Sequence, residues 1–117
     1  MASSLARSVR ITNAKEFAHV FKKGRHSQSK FWKIVASNSD YSFSRLGLAI
    51  SKKEYKKAVN RNHLKRLVRE TFRINQDNLG KLDYVVMAKK TQSINNTEMK
   101  NDLLALMTKA TNRAASR

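Results

Sequence analysis

Residues 57–73 constrain this chain more than any other segment, because their pattern admits only an amphipathic helix. At about 100° per residue, Leu64, Leu67, Val68, Thr71 and Phe72 gather on one side. Asn62, Arg66, Arg69 and Arg73 gather on the opposite side, and Lys65 lies at the border. One face must dock on a core, which leaves the other as a stripe of guanidinium groups. Guanidinium is planar, permanently charged and bidentate toward phosphate oxygens. An asparagine among such groups can address a base edge or a ribose hydroxyl with both donor and acceptor. The ordinary fate of a charge run is a solvated face. Here, between Lys52 and Arg73, nine Lys/Arg stand against two Glu, so i,i+4 neutralisation is scarce. Arg61 falls inside the apolar arc, in the first turn. The wheel leaves open whether it reaches toward the sheet or toward a ligand.

The rest of the chain shares this imbalance. Its 117 residues carry 25 Lys+Arg against 8 Asp+Glu, a formal charge of +17. A small folded domain so charged repels itself, so its natural partner is a polyanion, nucleic acid before membrane surface. No apolar run approaches the roughly 20 residues of a spanning helix. The start, Met1-Ala2-Ser3-Ser4-Leu5-Ala6-Arg7, lacks the apolar stretch of an export signal. A cytoplasmic location is therefore expected, with no membrane partner and no small-molecule substrate. There is no cysteine, hence no disulfide and no thiolate-bound zinc. His19, His26 and His63 are scattered, and the eight acids form no paired motif. No metal site and no catalytic residue is expected.

The length fits one domain over 1–117, with 1–10 and 112–117 expected to be flexible. Without proline, punctuation rests on three glycines and on Ser/Asn clusters. Residues 14–23 read as a first helix, capped by Asn13 with Glu16 as its capping-box partner and stopped by Gly24. Residues 30–36 read as a strand rich in aromatic and β-branched residues, and 43–50 as its antiparallel partner. After the basic helix, residues 83–88 suggest a buried strand. A last helix starts after Asn96 or Thr97, with Met99, Leu103, Leu106, Met107 and Ala110 on one side. The order helix, strand, strand, helix, strand, helix implies a small α+β fold, a two-layer sandwich of helices on a sheet.

The stretch Arg61-Asn62-His63-Leu64-Lys65-Arg66-Leu67-Val68-Arg69-Glu70, preceded by Gly47-Leu-Ala-Ile-Ser-Lys-Lys53, resembles the signature helix of the bacterial ribonuclease P protein family. Three further blocks fall in register with that family: Phe17 and Phe21 near the start, Arg45-Leu-Gly-Leu48, and Asp83-Tyr-Val-Val-Met-Ala-Lys-Lys90. About 80 residues are covered, from Ile11 to Lys90. The sequence departs from the family at His63, where the motif has a second arginine, and in the glycine-free loop 54–57.

The resemblance implies a left-handed strand–helix–strand crossover. It implies a protein subunit without activity of its own, partnered by ribonuclease P RNA and precursor tRNA. It assists endonucleolytic removal of the 5′ leader, with no stably bound cofactor and with Mg²⁺ held mainly by the RNA. By the same resemblance Lys52, Lys53, Arg61, Asn62, Lys65, Arg66, Arg69 and Arg73 contact the RNA subunit. Phe17, Phe21, Lys22 and Lys90 contact the leader. A structural ribosomal-type RNA-binding protein explains the charge and the helix equally well, but not the four ordered blocks. A DNA-binding regulator, with the basic helix in a major groove, is the more distant rival.

Overall fold

In the computed structural model, residues 9–41, 43–91 and 93–115 are described. Helix α1 spans Ala14–Lys23, α2 Ala58–Asn75 and α3 Asn96–Ala115. Strands are β1 (Arg25–Gln28), β2 (Trp32–Asn38), β3 (Arg45–Leu48) and β4 (Leu82–Ala88). The predicted order of elements holds, with β1 added; its four polar residues carry no apolar alternation by which a sequence reading could find it.

The cap of α1 is as expected. Asn13 Oδ1 accepts from the Glu16 backbone N–H at 2.8 Å, and its amide donates to Glu16 Oε1 at 3.0 Å. Gly24 ends the helix where the chain presses on the sheet. A Cβ there would stand 2.6 Å from both the Val20 carbonyl and Val35 Cγ1.

The sheet order is β1-β2-β4-β3. The hairpin expected between 30–36 and 43–50 does not form. Strand β2 pairs antiparallel with β1 and β4, whereas β3 pairs parallel with β4, joined to it through α2. The physical reason lies in β4, whose seven residues are buried except for half-buried Met87. A strand apolar on both faces buries most area at the centre of a sheet, so β4 inserts between β2 and β3.

Side chains of β2 and β4 alternate between two cores. Trp32, Ile34, Tyr84 and Val86 join Leu64, Val68, Phe72, Met99, Leu103 and Met107 beneath α2 and α3. Val35 and Val85 join Ile11 and Val20 beneath α1, with Phe17 and Met87 packed alongside. The predicted sandwich is thus the sheet with α2 and α3, and α1 adds cover on the other face. The apolar stripe predicted for the last helix packs as expected: Met99, Leu103, Leu106 and Met107 are buried, and Ala110 packs against the same cluster. Of the ends expected to be flexible, 1–8 and 116–117 lie outside the described residues. Val9 is buried, Arg10 bridges to Leu46, and α3 runs through 112–115.

Candidate nucleic-acid interface

On α2 the wheel holds. Leu64, Val68, Thr71 and Phe72 are buried and Leu67 packs against the core. Asn62, Arg66 and Arg73 are exposed, and Lys65 and Arg69 are half-buried at the helix flank. Arg73 pairs with Glu70 at 3.0 Å, an exposed i,i+3 contact worth no more than about 1 kcal/mol and open to exchange for a phosphate.

Lys65 and Arg69 do more than continue the stripe. With Arg10, Phe17, Leu46 and Leu48 they line a cavity of about 210 Å³ between α2, β3 and the start of α1. The structure therefore brings together residues that the family resemblance implies for two different RNA partners. Phe17 of the leader set borders Lys65 and Arg69 of the RNA-subunit set. Gly47 makes this approach possible, since a Cβ there would lie 3.0 Å from the Phe17 ring and 3.1 Å from Ile11 Cβ.

Phe21 stands 36% exposed at the far end of α1, its ring 6.1 Å from that of His26. His26, Lys33 and Met87 line a further cavity of about 270 Å³. Register places them on the α1 face of the sheet, because His26 opposes Val35 and Lys33 opposes Met87. Arg10 at one end and His26 at the other are surface members that sequence reasoning missed. His26 was hidden because β1 was, and Arg10 because nothing in its local sequence ties it to Lys65.

Other predicted residues fall elsewhere. Lys53 and Lys90 line a third cavity, of about 540 Å³, with Glu54, Tyr55 and Asn60, so Lys90 keeps company with Lys53 rather than with the phenylalanines. Lys22 and Lys52 are exposed.

For Arg61 the structure answers what the wheel left open. Its Nη1 donates to the carbonyls of Tyr55 (2.9 Å) and Lys56 (2.8 Å), folding the loop before α2 back on the helix start. That loop is also held by the Tyr55 hydroxyl, which donates to the Lys89 carbonyl at 2.6 Å. Burial raises the Tyr55 pKa above the ordinary phenol value. His63 hydrogen-bonds Asn96 Oδ1 at 2.6 Å and so ties α2 to the first residue of α3.

Arg45, from the Arg-Leu-Gly-Leu block, is buried. Its Nε and Nη2 donate to the two carboxylate oxygens of Asp83 at 3.0 and 2.8 Å, and its Nη1 to Glu16 Oε2 at 2.7 Å. The Asp83 hydrogen bonds, followed by those to Glu16, hold this guanidinium above its ordinary pKa against the opposing effect of burial. Two of the eight acids are thus spent fixing α1 to the sheet. Among the described residues, no three His, Asp or Glu converge as a metal site, and no helix is long and apolar enough to cross a membrane. Exposed cations beside aromatic rings are chemically suited to holding a phosphate backbone and flat bases.

Comparison with known proteins agrees. The Ribonuclease P family model matches residues 5–111. The ribonuclease P protein component of Vesicomyosocius okutanii subsp. Calyptogena okutanii (strain HA) is 38% identical over 109 residues, 93% of this chain and 96% of that protein. The component from Vibrio campbellii (strain ATCC BAA-1116) is 43% identical over 94 residues, 80% of each chain. Among solved structures, the Staphylococcus aureus RNase P protein superposes with a TM-score of 0.81 at 27% identity, covering 87% of this chain and 94% of that one. The Thermotoga maritima protein gives 0.77 at 29% identity, covering 86% and 96%.

Proposed function

The chain belongs to the ribonuclease P protein family and is the RNA-binding component of that tRNA-processing ribonucleoprotein; we propose that it divides its surface between two RNAs. The outer face of α2, with Asn62, Arg66 and Arg73, takes phosphates of the ribonuclease P RNA. The α1 face of the sheet, from Phe17 to Phe21 and His26, takes the single-stranded 5′ leader of precursor tRNA. Lys65 and Arg69 stand where the two meet.

The observation that carries this reading is the cavity shared by Phe17, Lys65 and Arg69. Aromatic stacking is worth about 1–3 kcal/mol per base and tolerates any sequence, which suits varied leaders. The cations beside it neutralise phosphates as they leave water. The protein supplies no bond-breaking group. Mg²⁺ held by the RNA would supply the activated water for hydrolysis, and the protein's part is to dock, orient and neutralise, in the cytoplasm and away from membranes.

The experiment combines the protein with in vitro transcribed ribonuclease P RNA at low Mg²⁺. Wild type stimulates precursor cleavage, and a rigorously RNA-free preparation cleaves nothing. Arg66→Ala/Arg69→Ala retains its fold, since neither side chain is buried in the core. Its RNA affinity falls, and its log–log salt slope flattens by about 0.7–0.9 per lost phosphate contact. Unchanged affinity and slope would sink the assignment of α2.

A further inference from the structure

Away from α2, at the opposite edge of the sheet, a cavity of about 90 Å³ opens between β1 and the ends of α1 and α3. Its cationic lining comes from three elements: Lys23 closes α1, Arg25 opens β1 and Arg113 lies in the last turn of α3. Ser27 and Asn38 add neutral donors, and among the described residues no carboxylate lines it. Arg113 Nη1 approaches Ser27 Oγ at 3.5 Å, which brings helix and strand together across the opening. None of the three cations has an ion pair among the described residues. The volume suits about three waters, or one phosphate group.

The bland account is that these cations complement helix C-termini, each equivalent to about half a negative charge. Two such ends offset about one of three positive charges. About two are left over on three exposed cations that converge on one small opening, which makes a local concentration of positive charge for an anion.

We propose that this pocket seats a backbone phosphate of RNA, and that the RNA is the precursor's leader upstream of Phe21. Register supports the source. Arg25 opposes Ala36 and Ser27 opposes Ile34 on the α3 side, whereas His26 opposes Val35 on the α1 side next to Phe21. A strand leaving Phe21 and His26 has only the free edge of β1 to cross before its next phosphates meet Arg25, Lys23 and Arg113. An RNA docked on α2 lies over the far edge, about three strand spacings or ~14 Å across the sheet.

The inference rests on the two-RNA reading above, and its test separates the two. Holoenzyme is assembled with wild type, with Arg25→Gln/Arg113→Gln, or with the control Lys100→Gln/Lys109→Gln, which loses the same charge outside the pocket. Each is titrated with RNA subunit alone, mature tRNA, a precursor whose leader ends at the groove and one with a longer leader. The arginine variant should bind the long-leader precursor about threefold to tenfold more weakly, with a slope lower by about 0.7 per lost contact. The short-leader and mature substrates should be unaffected. Arg25→Lys/Arg113→Lys, which keeps both charges and the helix-end complement, should recover most of the slope and serves if the glutamine variant melts early. Equal loss toward the RNA subunit alone would uphold a phosphate site but assign its phosphate to that RNA. Wild-type values in every arm, or an equal loss in the lysine control, would overturn the proposal. If wild type itself fails to bind the RNA subunit, the two-RNA reading fails instead.

Discussion

Arg45 and Tyr84 show how little a residue's type says about its task. One arginine in a chain of +17 serves no polyanion, because Asp83 and Glu16 enclose it and Tyr41 covers it at 4.7 Å. Removing one partner of a buried ion pair leaves the others uncompensated, so Arg45→Ala should cost about 3–5 kcal/mol in urea unfolding. Adding Asp83→Asn should return part of that loss; strict additivity of the two would show that they do not interact. Tyr84 lies in the core, where its hydroxyl donates to the Leu79 carbonyl at 2.9 Å. Burial pushes its pKa up to about 12, the hydrogen bond with Thr111 opposing. The folded state thus holds this proton more tightly than the unfolded chain does. That advantage is complete below pH 10 and is lost as pH rises through about 12, up to about 2–3 kcal/mol. Tyrosinate absorbance should rise for Tyr84 only with unfolding, and Tyr84→Phe should flatten the alkaline limb of the stability curve.

At the scale of elements, α1 and α2 each carry side chains that look alike in sequence and differ in use. On α1, Phe17 packs against the Val20–Val35–Val85 cluster while Phe21 stands half in solvent. Phe17→Ala should lower stability by about 2 kcal/mol, less than for a fully buried ring. Phe21→Ala should leave the melting temperature in place and weaken leader-bearing precursor, but not mature tRNA, by about 1–3 kcal/mol. If both substrates suffer equally, Phe21 is no leader contact. On α2, Arg61 braces the preceding loop, whereas Arg66 faces out. Arg61→Ala should cost about 1–3 kcal/mol of stability, the value of charge-assisted bonds to carbonyls, and leave the RNA salt slope unchanged. A flatter slope with intact stability would return Arg61 to the phosphate-binding set.

For the molecule as a whole, the net charge sets two opposite responses to salt. Self-repulsion is screened over a Debye length of about 10 Å at 0.1 M, so the free protein should melt higher as salt rises. RNA affinity should fall over the same range, because counterions released on binding must be released into a saltier bath. A melting temperature that fell with salt would mean that attractive pairs outweigh repulsion. Trp32, buried and donating to the Met99 carbonyl at 2.8 Å, reports the joint between sheet and α3. Its fluorescence should follow far-ultraviolet circular dichroism through one unfolding transition; separate midpoints would show that α3 detaches first.

Local chemistry decided whatever depends on neighbours three or four residues apart. The Asn13–Glu16 cap, the start of α1 at Ala14, the apolar seam from Leu64 to Phe72 and the arginine stripe opposite it were legible because helical geometry is written at that range. The apolar run at 83–88 announced a buried strand, found at 82–88, for a similar reason, since burial on both faces leaves no polar alternation. Pairing is another matter. Nothing near residue 45 says that β3 will run parallel to β4 rather than turn back on β2, for strand partners are chosen by area buried across the whole sheet. The same holds for function. Lys65 and Phe17 are 48 positions apart and share a cavity only because Gly47 lets α1 settle against β3. Arg61, one turn from Lys65, gives its Nη1 to two loop carbonyls, a contact that no helical wheel could show. The sequence determined that the chain is cationic and which helix would bear the stripe. Which cations stand beside an aromatic ring, which meet a carboxylate and which stay exposed was decided only when distant segments competed for the same space.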